Sequence, residues 1–178
     1  MDFKNANELL TLCEEKNLPI SEIMRLREIE LGETTAETVK ERMSRVLDIM
    51  KDAARSPIEK PVKSMGGLIG GEARKLSLHA QNSQGLCDDL LQRAITYAMA
   101  TLETNASMGL IVASPTAGSA GIVPGLMLAM QEHYHFSDDQ IIQALFNASA
   151  IGYLAMRNAT VAGAVGGCQA EVGVASAM

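Results

Sequence analysis

Between Thr104 and Gln131 the chain carries no charged side chain, and from Gln140 to Met178 it carries only Arg157 and Glu171. A segment this apolar is either enclosed by protein or embedded in lipid. Asn105 to Met130 matches a bilayer in length, but Pro115, Pro124 and several polar side chains interrupt it, and no Lys or Arg flanks it. The reading is a buried helix–loop–helix in a protein core. Polar groups set into such a core cost free energy unless they are paired. Asn105, the stretch Ser114 to Gly121, Asn147, Asn158 and the stretch Gly166 to Gly173 therefore mark the functional half of the molecule.

The rest of the chain reads as amphipathic helices. Asn7 to Lys16 places Leu9, Leu10, Leu12 and Cys13 on one side. Ser21 is expected to cap the next helix, with Ile20 and Met24 as a staple and Gly32 as its stop. Thr35 caps a longer helix in which Val39, Met43, Val46, Leu47 and Met50 recur at helical spacing. Pro57 and Pro61 mark a linker. Asp88 and Asp89 suit the start of a helix reaching about Leu102, and Ser137 opens another reaching about Met156. No stretch alternates with a period of two, so the fold class is all-α: a compact bundle of helices whose Gly-rich interhelical turns form the active-site pocket. Residues 1–56 are read as scaffold or docking helices and 57–178 as the catalytic core.

Composition narrows the chemistry. Aromatic residues make up 3% of the chain, with no Trp and 11 Met, so Ala and Met fill space that rings usually fill and helices must approach closely. A net charge of −6 disfavours nucleic acid. No basic run suits anionic lipid, so neither nucleic acid nor membrane is expected as a partner. Cys13, Cys87 and Cys168 are too few and too scattered for a disulfide framework, and the N-terminus lacks a secretory pattern, which points to the cytoplasm.

Three stretches carry chemistry. Ser64 to Lys75 sets two glycine pairs before a helix start, leaving backbone N–H groups for an anion; the bland alternative is a flexible turn with a surface lysine. It is not a nucleotide phosphate loop. The turn Ser114 to Gly121 presents hydroxyls beside a helix N-terminus and suits a small carboxylate, or else it only breaks a helix. In Gly166-Gly167-Cys168 the glycines let the backbone approach something bulky, and the thiol is either a metal ligand, a nucleophile or a core residue. His79, His133 and His135 are not arranged as a metal set.

Asn105-Ala-Ser-Met-Gly109, Pro115 to Gly121 and Gly167-Cys-Gln-Ala-Glu-Val-Gly173, in that order, resemble the α chain of iron–sulfur-dependent bacterial L-serine dehydratase. The loop Ser64 to Lys75 is similar to a loop of that family, with Glu72 where the family more often has Asp. The resemblance covers the whole chain. It implies a 4Fe–4S enzyme of amino-acid catabolism that converts L-serine to pyruvate and ammonia, with an open iron acting as Lewis acid on the serine hydroxyl. Cys168 matches the first cluster cysteine, and the resemblance places the other two beyond Met178. The expectation is a piece of the α chain that holds no stable cluster and is inactive alone. A separate β chain and a homo- or hetero-oligomer are the implied partners.

Substrate contacts are expected from Thr116, Gly118 and Ser119, then Asn105 and Asn158, with Ser64, Gly70 and Gly71 forming the opposite, anion-binding wall. Lys75 is the candidate for an acid–base or carboxylate-binding role, on the argument that it is buried. Glu171 either caps the glycine turn or takes part in the chemistry. Two other readings stay open: a non-catalytic helical interaction subunit, and a pyridoxal-phosphate lyase with Lys75 as Schiff base.

Overall fold

A computed structural model describes the chain from Met1 to Met178 except Ser83, Gln84 and Leu86. The described residues form helices and no strand: α1 (Ala6–Lys16), α2 (Ile20–Leu31), α3 (Ala36–Glu59), α4 (Glu72–Asn82), α5 (Asp89–Ala106), α6 (Ile122–Tyr134), α7 (Asp138–Asn158) and α8 (Gly163–Ala177). The all-helical architecture expected from the periodicities is what forms. None of these helices is long and apolar enough to cross a membrane. Contacts divide the chain into two units, Met1–Leu47 with Asp138–Met178, and Asp48–Ser137; α3 contributes to both.

In the first unit α2 packs on α7, burying Ile23 and Met24 together with Ile141, Ile142, Leu145 and Phe146. The N-terminal segment is pinned there. Phe3 is fully buried and meets Tyr153 edge-on at 5.3 Å, and the Arg27 guanidinium lies 3.8 Å over the Tyr153 ring while bonding Asp2 at 2.8 Å.

In the second unit α5 and α6 pack most closely, and small residues explain why. Gly121 and Gly125 on one helix face Ala94 and Ala98 on the other; a Cβ on Gly121 would come within 2.5 Å of the Ala98 carbonyl oxygen. With no side chain between them the backbones touch, which is how a core poor in rings reaches native density. Pro124 is fully buried but sits in the first turn of α6, where no intrahelical partner for its nitrogen is needed.

Four local expectations are corrected. Pro57 does not end a helix: α3 runs on to Glu59. The proline leaves the Ala53 carbonyl without its intrahelical donor, and the Thr104 hydroxyl donates to it instead at 2.8 Å. Ser21 is not a cap but a buried residue inside α2, which starts from Pro19. Leu10 is 52% exposed, off the face that buries Leu9. Residues 109 to 113, read as part of an apolar helix, are non-helical, so a long connection joins α5 to α6.

Candidate active site

The last turn of α5 organises the second unit. Three consecutive residues each send a side chain to a different segment: Glu103 to the Gly-rich loop, Thr104 to α3, and Asn105 to the hydroxyl loop. Both loops thus hang from one turn.

Glu103 is 3% exposed. Its Oε2 accepts from the Gly71 amide at 3.0 Å and its Oε1 from the Ala73 amide at 2.7 Å. These are N–H groups at the start of α4, which has no intrahelical partners for them, and a carboxylate there is further favoured by the helix dipole. Glu72 takes the Gly70 amide at 2.6 Å. That bond, first among its causes, holds the Glu72 carboxyl below the usual carboxylate range, and Lys75 adds to the effect. Gly70 adopts a φ of 137°, and a Cβ there would lie 2.4 Å from the Val62 carbonyl oxygen. Only glycine fits.

The anion cradle read from the glycine pairs therefore forms, but the anions in it are the protein's own. The amides of Gly70 and Gly71 are spent on Glu72 and Glu103 and are not left for a substrate. Ser64 closes the loop, its N–H donating to the Ile69 carbonyl at 2.8 Å and its Oγ accepting from the Ile69 amide at 3.2 Å. As acceptor, it keeps its hydroxyl proton for another group. Lys75 stands on the exposed side of α4, so the burial on which its acid–base role was argued is absent.

The hydroxyl loop satisfies itself. Ser119 is 2% exposed and donates to the Ser114 carbonyl at 3.1 Å, its Oγ standing 3.1 Å from that of Thr116. Asn105 ties the loop to α5, its Nδ2 donating to the Ala117 carbonyl at 3.0 Å. Ser114–Pro115 is a cis peptide bond. The tip, Ala117-Gly118, is exposed and Thr116 is half-buried beside it. Ser119, Asn105 and the Thr116 hydroxyl are committed to holding the loop, whereas the Gly118 backbone lies where a ligand can reach.

Asn158 and Cys168 belong to the other unit. Asn158 ends α7 and donates to the Lys4 carbonyl at 2.8 Å, anchoring the N-terminal segment. The glycines before Cys168 make a kink rather than a turn: α8 continues through them, with Gly167 at a φ of 76°. The Cys168 thiol is exposed. Glu171 reaches back along the same helix, its carboxylate resting against Gly163, where a Cβ would come within 2.6 Å of Oε2. No group of three or more His, Cys, Asp or Glu able to hold a metal ion is present among the described residues.

Glu103 and Thr104 escaped the sequence reading. Their only sequence signal is position: Glu103 is the last charge before the uncharged run.

Comparison with known proteins gives this geometry a family. A model described as "Serine dehydratase alpha chain" matches residues 15–178. The chain is 43% identical over 176 residues to the "Probable L-serine dehydratase, alpha chain" of Bacillus subtilis (strain 168), covering 99% of this chain and 58% of that one. It is 36% identical over 176 residues to the "L-serine dehydratase, alpha chain" of Peptoniphilus asaccharolyticus, covering 99% and 60%. Against "L-serine dehydratase TdcG" of Escherichia coli (strain K12) the figures are 33% over 186 residues, 99% and 40%. The chain thus spans three fifths or less of the length of these relatives. Matched from residue 15 to its last residue, the chain belongs to the serine dehydratase alpha chain family.

Proposed function

We propose that this chain is the substrate-binding core of an L-serine dehydratase α chain, acting on L-serine to release pyruvate and ammonia. The observation that carries the reading is the hydroxyl loop, which Thr116, Ser119 and Asn105 hold in shape while its tip at Ala117-Gly118 stays exposed, in a chain whose relatives are named for that reaction. In the reaction serine loses its α-proton and its β-hydroxyl, and the aminoacrylate so formed is hydrolysed to pyruvate and ammonia. The part of this chain is to hold the substrate. The exposed Gly118 backbone receives its carboxylate, Thr116, Asn105 and Ser119 keep that loop in shape, and Ser64 and Lys75 supply donors from the Gly-rich side.

The 4Fe–4S cluster belongs to the proposal too. It would supply a Lewis acid for the departing hydroxyl. The exposed Cys168 thiol fits as one of its ligands. The chain alone does not fit the whole cluster, because the described residues offer no complete ligand set, and no step is derived through it. The β chain as partner and a cytoplasmic location complete the reading.

The test is to add iron and sulfide anaerobically to the chain alone, and to the chain joined to a segment completing the length of its relatives. The expected result is pyruvate from L-serine only with the completed chain, together with a stable brown chromophore. In that protein Thr116→Val lowers kcat/KM by about tenfold, because the loop loses the hydroxyl that donates to Ser119 and shapes its tip, with the chromophore unchanged. No serine-dependent pyruvate from the completed protein, or an unchanged rate in Thr116→Val, overturns the reading.

A further inference from the structure

A cavity of about 530 Å³ lies in the second unit at the N-terminal half of α5, with walls from α3, α4, α5 and α6. Its volume falls in the range of small-molecule sites, about 300–1,000 Å³. None of the residues assigned above to serine lines it, so the function just proposed does not use it.

Its chemistry is set by a knot of four side chains. Glu132 accepts from the Tyr97 hydroxyl at 2.7 and 2.8 Å, from Arg55 at 3.0 Å and from Arg93 at 2.8 Å. Burial opposes the charge on Glu132, but the bonds from Tyr97, Arg93 and Arg55 outweigh it and hold its carboxyl below the usual range. Burial first, and then Glu132, push the Tyr97 phenol up to about 12. The carboxylate is saturated and one positive charge is left over. Each guanidinium bonds Glu132 through one nitrogen and Arg55 also stands against the Tyr97 hydroxyl, while both side chains keep about two fifths of their surface exposed, so further N–H groups of the forks are within reach of a ligand.

A separate observation points the same way. Gln92 lines the cavity and is 9% exposed, yet its side-chain amide makes no hydrogen bond among the described residues. No fully sealed side-chain N or O atom lacks a partner there. The Gln92 amide oxygen rests against Gly85 and the amide is not sealed, so at the cavity wall it is available to water or a ligand. Glu59 and Asp89, both exposed, add negative charge to the lining.

We infer that this cavity is a binding site for a small organic molecule with one carboxylate, held by Arg55, Arg93 and the Gln92 amide, and with a cationic outer end facing Glu59 and Asp89. Two guanidinium forks and an unserved amide suit a carboxylate. The exposed carboxylates disfavour a second negative charge.

The test follows the Gln92 side-chain amide and the arginine Nε signals by NMR in the isotopically labelled chain, during titration with 4-aminobutyrate and, separately, with succinate. The expected result is saturable shifts at Gln92, Arg55 and Arg93 with 4-aminobutyrate and weaker binding of succinate. Gln92→Leu and Arg93→Gln should each weaken 4-aminobutyrate binding by about tenfold, as for the loss of one charge-assisted hydrogen bond. Thermal unfolding and the remaining amide signals identify the variant that keeps the fold, and its affinity decides. The absence of saturable shifts in the unsubstituted chain, an unchanged affinity in the folded variant, or tighter binding of succinate overturns the proposal.

Discussion

The Gly-rich loop and the hydroxyl loop hang from the same turn of α5, yet they are held in opposite ways. The first has backbone donors in excess, and a carboxylate from another helix must come to neutralise them: Glu103 serves Gly71 and Ala73, with Glu72 on Gly70. The second carries its own acceptors and donors, so Ser119 and Thr116 close it from within and Asn105 only tethers it. A loop clamped from outside fails when its clamp is removed. A loop that closes on itself loses its bonds one at a time.

The contrast predicts a ranking of substitutions. Glu103→Ala should cost the most, about 3 kcal/mol in denaturant unfolding, because a buried and a part-buried amide lose a charged acceptor together. Amide exchange should quicken at Gly71 and Ala73 and stay unchanged at Ala120 and Ile122. Equal loosening of both loops would break the contrast. Gly70→Ala follows at about 2 kcal/mol, since its left-handed backbone and the Val62 carbonyl both exclude a Cβ. Its effect should be confined to the Gly-rich loop. Ser119→Ala should cost about 1 kcal/mol, one ordinary hydrogen bond, read in the same unfolding experiment.

The smallest effect is one of pH. The Glu72 carboxyl is held below its ordinary value of 4.5 by the Gly70 amide. A depressed folded value means that its contribution is complete above the ordinary value and is lost as pH falls through the folded one. The Gly70 amide resonance should therefore titrate below pH 4.5, while the amides of Ala117 to Ser119, in a loop with no titratable side chain, stay put. Glu72→Gln should abolish the Gly70 titration; its persistence would detach that amide from Glu72.

Much of this was legible beforehand. Helical spacing and cap residues are local, so Thr35, Gly32 and Asp88 mark helix ends where they were expected. The place of the hydroxyl loop between two helices was readable too, but not that Ser119 and Asn105, expected at the substrate, are spent on holding it. Pro57 and Glu103 were not legible. The break at Pro57 is repaired by a hydroxyl 51 residues from the Ala53 carbonyl it serves, and the Gly-rich loop is clamped by a carboxylate 32 residues from Gly71. The kink at Gly167 also escaped, since the residues after it stay helical and the glycines read as a turn.

By itself the sequence determined that this chain is helical, where its polar residues interrupt an apolar core, and which family motifs it carries, because periodicity, capping and motif order are properties of neighbours along the chain. Only the tertiary structure decided what fills the glycine cradle, which hydroxyl replaces a missing amide, and which side chains are spent on holding loops rather than left for a ligand. Those outcomes depend on which donors and acceptors packing brings within about 3 Å of one another, and no spacing along the chain encodes that distance.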